Sequence, residues 1–190
     1  MPGDSGILPK DQVQGKRRRS IRLKEYDYAQ AGAYFVTIVT NQREPLFGAI
    51  EGVAMRLSAW GDIAREEWFK TAALRKMINL YADEFVVMPN HVHGIIWINN
   101  NIEEDGVGAE RRSALTGVMP HVTAGSLGAV VRGYKSAVTY AVNAARETRG
   151  APIWQRNYYE HVIRDDADLN RIREYISNNP VKWGEDALYG

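Results

Sequence analysis

His91 and His93 are separated by one apolar residue in a β-favouring stretch, Phe85-Val86-Val87-Met88-Pro89-Asn90-His91-Val92-His93-Gly94-Ile95-Ile96-Trp97-Ile98. Side chains alternate faces along a strand, so both imidazoles point one way and Val92 the other. Two imidazoles side by side form a two-ligand platform for a divalent ion. A half-buried strand with two incidental histidines would satisfy the same spacing. Far downstream, Tyr175 and Asn179 stand four residues apart in a helical pattern and therefore share a face. Asn179 can offer its carbonyl oxygen as a third ligand, and Tyr175 a phenolic oxygen as nucleophile. An Asn/His/His set has no soft ligand and suits Mg²⁺ or Mn²⁺. A free phenol has a pKa of about 10, so attack needs local help to release the proton. The plain alternatives are a core-edge tyrosine and a helix-terminal asparagine before Pro180.

The elements that must position these residues follow from periodicity. Ala33–Thr40 is rich in β-branched and aromatic residues and reads as the first strand; a short strand or hairpin around Ala49–Met55 is weakly signalled. From Ser58 a helical stripe runs through Ile63, Trp68, Ala72 and Leu74 to Met77. Leu80–Met88 and His91–Ile98 read as an antiparallel pair broken at Pro89, which cannot donate to a ladder. Asn99 to His121 reads as a loop. A second amphipathic helix starts at Ser126 and reaches about Arg149, and Ile153–Ile163 is the last strand. Asp165, Asp166 and Asp168 suit a helix N-terminus, and that helix ends before Pro180. The order strand, helix, strand, strand, helix, strand predicts an α+β fold: a ferredoxin-like βαββαβ antiparallel sheet with two helices on one face. The added C-terminal helix, which bears Tyr175, would complete a site on the other face.

Composition narrows the function classes. A chain of 190 residues, 45% hydrophobic, suits one globular domain, here 21–190, preceded by an arm over 1–20. The chain has no cysteine, which excludes a disulfide scaffold, a thiolate zinc site and a cysteine nucleophile, and fits a cytoplasmic location. No apolar run is long enough to span a membrane. Net charge is +1, but residues 1–25 hold seven basic and three acidic side chains, leaving a net −3 on the remainder. The cluster Lys16, Arg17, Arg18 and Arg19 reads as a flexible basic arm suited to phosphate contact or as a solvated tail. Arg132 and Lys135, on or beside the polar side of the second helix, are further candidate DNA contacts, with Arg111 and Arg112 in the loop.

Met88-Pro89-Asn90-His91-Val92-His93, followed by Tyr175-Ile176-Ser177-Asn178-Asn179-Pro180-Val181-Lys182, resembles the REP-associated tyrosine transposases. These belong to the His-hydrophobic-His (HUH) single-strand endonucleases with one catalytic tyrosine. Trp154-Gln155-Arg156 and Tyr158-Tyr159-Glu160-His161-Val162-Ile163-Arg164 extend the resemblance, which covers roughly Arg22 to Trp183. It implies metal ligation by His91, His93 and Asn179, and attack by Tyr175 on single-stranded DNA. The products would be a 5′-phosphotyrosine link and a free 3′-hydroxyl, with no need for ATP. The implied partner is single-stranded or hairpin DNA at repeat elements; monomer and homodimer both occur among such proteins. The rival function is a domesticated, non-catalytic hairpin-binding protein. Tyr158 and Tyr159 are rival nucleophiles, one expected in the core and the other at the surface. His161 is either a residue orienting a ligand or a structural histidine.

Overall fold

The computed structural model describes residues 26–99, 125–186 and 188–189. The predicted arm, with Lys16, Arg17, Arg18 and Arg19, lies outside them, as do Arg111, Arg112 and His121. In chain order the elements are β1 (Gly32–Val39), a hairpin of β2 (Gly48–Glu51) and β3 (Ala54–Leu57), α1 (Ala59–Ala73), β4 (Ile78–Asn79), β5 (Phe85–Met88), β6 (His91–Ile98), α2 (Leu127–Ala145), β7 (Tyr159–Ile163) and α3 (Asp166–Asn178). The expected α+β class and antiparallel sheet are both present.

The histidine strand β6 is the hub of the sheet. It pairs with β1 along its full length, from Gly32↔Ile98 to Val39↔His91. Its other edge takes β5 beside the histidines, Met88↔His91 to Phe85↔Gly94, and the two-residue β4 at the far end. β7 closes the opposite side against β1. Across the sheet the order is therefore β4 and β5, then β6, β1 and β7, with every neighbouring pair antiparallel.

Period-two alternation divides the core into two layers. Tyr34, Val36 and Ile38 of β1, with Val92, Ile96 and Ile98 of β6, face α1 and α2. Ala33 and Phe35, with Ile95, face the other way and meet Leu169, Ile172 and Ile176 of α3. Gly94 makes the first layer fit. A Cβ there would stand 2.4 Å from Cζ2 of Trp68, and the bare backbone lets that indole lie against Phe85 with ring centroids 4.5 Å apart. Each helix starts on a side-chain cap: Ser58 accepts from Gly61 N–H, Ser126 from Ala129 N–H and Asp165 from Asp168 N–H.

Four boundaries differ from the sequence reading, the first being that of α1, which ends at Ala73 rather than at Met77. The strand predicted over Leu80–Met88 begins only at Phe85, because Ala82–Glu84 forms a 3-10 turn that carries the Glu84 carboxylate inward. The strand predicted over Ile153–Ile163 begins at Tyr159. Before it, Trp154 makes one isolated bridge to Thr40, and Lys135 Nζ takes the carbonyls of Gln155 and Arg156. The second helix ends at Ala145 rather than near Arg149, and Glu147 just beyond it has φ 54°.

Candidate metal and tyrosine site

β6 carries both histidines onto the α3 face, where they are buried, His91 at 0% and His93 at 2% exposure. Their Nε2 atoms approach to 2.9 Å. Each imidazole is held from behind. His91 Nδ1 lies 2.8 Å from Asn90 Oδ1, and the Asn90 amide nitrogen donates to Leu188 O at 2.8 Å. That amide orientation leaves Oδ1 as an acceptor, so His91 Nδ1 carries the proton and Nε2 the lone pair. Thr37 stands directly opposite His93 in the β1–β6 register, and its hydroxyl is 2.8 Å from His93 Nδ1.

Burial favours the neutral form of both rings. It pulls His91 down to about 4, against a smaller opposing pull from the Asp186 carboxylate. His93 is lowered well below its ordinary value, first by burial and then by His91. Neutral imidazole is the metal-binding form. At 2.9 Å the two Nε2 atoms can share one proton as a hydrogen bond or turn both lone pairs to a cation. Two nitrogens about 2.1 Å from one ion, at right angles to each other, would be about 3 Å apart.

α3 brings Tyr175 over the pair. Its hydroxyl lies 3.2 Å from His93 Nε2, and its ring packs edge-on against His93 and Phe35. The side chain remains half-exposed. Burial, and secondarily the negative charge of Asp186, raise the phenol pKa above its usual value, while a hydrogen bond from Asn179 opposes the shift. Asn179, the C-cap of α3, is 3% exposed. Its amide nitrogen donates to Asp186 Oδ2 at 3.3 Å, whereas its Oδ1 is buried with no hydrogen-bond partner. A buried carbonyl oxygen without a partner, on a side chain that also touches Asp186, is a donor that suits a hard divalent ion.

Sequence reasoning missed three contributors. Asp186 comes in on the segment after α3, and its Oδ2 is 4.0 Å from His91 Nε2. Among the described residues, His91, His93 and Asp186 form a group able to hold a metal ion, with ligand atoms within 4.8 Å of one another. Asn90 was legible as the neighbour of His91, but its backward hold on the ring was not. Thr37 becomes apparent once the β1–β6 register is known.

No protein-family model matches the chain. An uncharacterized Haemophilus influenzae protein is 39% identical over 173 residues, covering 90% of this chain and 93% of that one. A second Haemophilus influenzae protein, provisionally named a REP-associated tyrosine transposase, is 26% identical over 159 residues, covering 83% of this chain and 75% of that one. Among solved structures, a REP-associated tyrosine transposase bound to a REP hairpin matches the fold with a TM-score of 0.57 at 22% identity, over 86% of this chain and 74% of that one. The chain is similar in sequence and in fold to REP-associated tyrosine transposases. The four residues expected to form the site, His91, His93, Tyr175 and Asn179, lie together on one face of the sheet.

Other candidates fall elsewhere in the chain. His161 Nε2 pairs with Asp168 Oδ2 at 2.6 Å, tying β7 to the first turn of α3, so it is a structural histidine. Tyr158 packs on the α1–α2 layer, whereas Tyr159 is 45% exposed on the α3 side. Lys135 departs from the free phosphate contact expected of it. It is partly buried, burial lowers its pKa, and its ammonium donates to Gln155 O at 2.6 Å and Arg156 O at 3.1 Å. Arg132 is exposed, and its guanidinium has no hydrogen bond or ion pair among the described residues. No helix among the described residues is long and apolar enough to cross a membrane.

Proposed function

We propose that this protein cleaves single-stranded DNA and transfers the broken strand through a covalent tyrosine link, acting at hairpin-forming repeats. The observation that carries the reading is the convergence of two buried imidazole nitrogens, the Tyr175 hydroxyl and the Asp186 carboxylate, to which the Asn179 amide donates. His91, His93 and Asn179 would hold a divalent ion, Mg²⁺ or Mn²⁺, with Asp186 as an additional oxygen ligand. That ion would supply positive charge to a non-bridging phosphate oxygen and to the phenol. The raised pKa of Tyr175 keeps the phenol protonated until such charge is present. Tyr175 Oη then forms a bond to phosphorus as the phosphorus–O3′ bond breaks, leaving a 3′-hydroxyl and a 5′-phosphotyrosine. Because one phosphate ester replaces another, the reverse attack by a 3′-hydroxyl can rejoin strands without ATP. Phe35 and His93 pack against the tyrosine ring and limit its freedom. In this reading residues 21–190 act as the catalytic unit, and the arm over 1–20 adds phosphate contacts.

The test is incubation with hairpin-bearing single strands and Mn²⁺, followed by a denaturing gel for the protein–DNA adduct. Tyr175→Phe removes the attacking oxygen and keeps the ring, so the adduct should vanish while DNA binding and thermal stability persist. Tyr159→Phe should keep the adduct. Nucleotide found on a Tyr159 peptide, or an adduct formed by Tyr175→Phe, would overturn the assignment. DNA binding with no adduct under any metal would favour a hairpin-binding protein without catalysis.

A further inference from the structure

A groove of about 1140 Å³ runs between α2 and the segment 149–158, on the face of the sheet opposite Tyr175. On α2, Arg132, Ser136, Thr139, Tyr140 and Asn143 line it. Their spacing puts them along one helix face, over a length of about 16 Å at 1.5 Å per residue. The opposite wall contributes Arg149 and Arg156. Arg132, Arg149 and Arg156 are all exposed, and among the described residues none of their guanidinium groups has a hydrogen bond or ion pair. One acidic side chain, Asp27, lines the groove against them. Lys135 spends its charge on the carbonyls of Gln155 and Arg156, fixing that wall to α2. Tyr140, 80% exposed, stands open on the helix side.

Unpaired guanidinium groups along a trough with an open aromatic ring suit a single nucleic-acid strand, whose phosphates track the cations and whose bases stack. The start of β7 links this groove to the site. Tyr158 lines the groove, and the next residue, Tyr159, faces the other side of the sheet. There its ring meets Phe35 at 6.3 Å between centroids, and Phe35 meets Tyr175 at 6.0 Å. The geometry points to a second DNA site: the groove along α2 holds a single-stranded stretch of the same strand that Tyr175 attacks, and that strand rounds the edge of the sheet at Tyr158 and Tyr159. This rests on the single-strand cleavage proposed above and adds where the uncleaved part of the strand lies.

The experiment uses the full chain, with EDTA present so that binding is read apart from cleavage. Fluorescein-labelled oligonucleotides are titrated by anisotropy at several salt concentrations: a linear strand, a hairpin with single-stranded flanks, and the same hairpin blunt-ended. The combined variant R132Q/R149Q/R156Q removes three charges that no described contact uses, so its circular dichroism and melting should match the parent. Its Kd for the linear and flanked oligonucleotides should rise at least ~tenfold, and its log K against log salt slope should fall by roughly 2, at about 0.7 per neutralised phosphate of a single strand. Tyr140→Ala should weaken the same two oligonucleotides ~tenfold, as loss of one stacked base predicts. Parent-like binding by the triple variant overturns the groove while leaving the cleavage reading intact. A loss confined to the blunt hairpin overturns the single-strand assignment. A parent chain that binds none of the three oligonucleotides overturns both this inference and the function it rests on.

Discussion

Removing the Glu84 carboxylate tests how α3, and with it Tyr175, is held over the sheet. Glu84 is 1% exposed. Its Oε2 accepts from Trp97 Nε1 at 2.6 Å, and its Oε1 from Arg173 Nε at 2.9 Å and Nη2 at 2.5 Å. Arg173 lies two residues before the tyrosine, so this carboxylate pins the middle of α3 to the turn preceding β5. Breaking a fully buried ion pair from one side costs about 3–5 kcal/mol. The Arg173 side chain, however, is 41% exposed, and its guanidinium can turn to water when the carboxylate is gone. Glu84→Ala should therefore cost less, about 2–3 kcal/mol, mostly from the unsatisfied Trp97 donor and lost hydrogen bonds. That corresponds to a melting temperature lower by roughly 5–10 °C for a chain of this size. Arg173→Ala should cost more, about 3–5 kcal/mol, because it strands a buried carboxylate. The double variant should fall short of the sum by at least ~1 kcal/mol. Urea titration followed by tryptophan fluorescence and circular dichroism measures all three. A Glu84→Ala cost below about 1 kcal/mol, or strict additivity, would refute the clamp.

Gly94→Ala should destabilise the fold by about 1–3 kcal/mol, since the new methyl meets the pinned Trp68 ring; calorimetric Mn²⁺ affinity should not move, because that face of β6 points away from the histidines. Asn179→Ala removes the unpaired oxygen and should raise the Mn²⁺ Kd at least ~tenfold, read by calorimetry, whereas Asn179→Asp should retain binding. Stability without metal should be greatest above the unfolded histidine pKa of about 6.5 and fall as pH drops toward 4. The sign follows from burial: His91 titrates at about 4 when folded, so the unfolded chain takes up the proton first. This one group contributes roughly 3 kcal/mol over that window. A denaturation midpoint that stays flat from pH 7 to pH 4.5 would remove His91 as the cause.

Where chemistry depends on local period, the sequence was a sufficient guide. The His91–Ile98 strand, its antiparallel partner, and the shared helix face of Tyr175 and Asn179 each follow from spacing within a dozen residues. Contacts fixed by register or by a turn were not legible. Thr37 meets His93 only because β1 pairs with β6 in one particular register. Asp186 enters after Pro180 on a segment with no periodicity to reveal where it returns. The two strand overestimates share one cause: Leu80, Ile153 and Trp154 are apolar because they pack on the core, and burial leaves the same mark in sequence whether or not a ladder forms. Lys135 shows the reverse case, since a charge on a helix flank gives no sign that carbonyls await it.

The two-layer core puts the nucleophile and the histidines under unequal protection from unfolding. β6 has strands on both sides and the larger apolar cluster beneath it, so its amides should exchange with deuterium only when the sheet itself opens. α3 leans on Ala33, Phe35 and Ile95 through three of its own side chains, aided by the Glu84 and His161 contacts. It should therefore behave as a separate, weaker cooperative unit whose amides exchange through partial opening, which hydrogen–deuterium exchange would read directly. The tyrosine can thus lift away on its helix while the paired imidazoles stay in register on their strand.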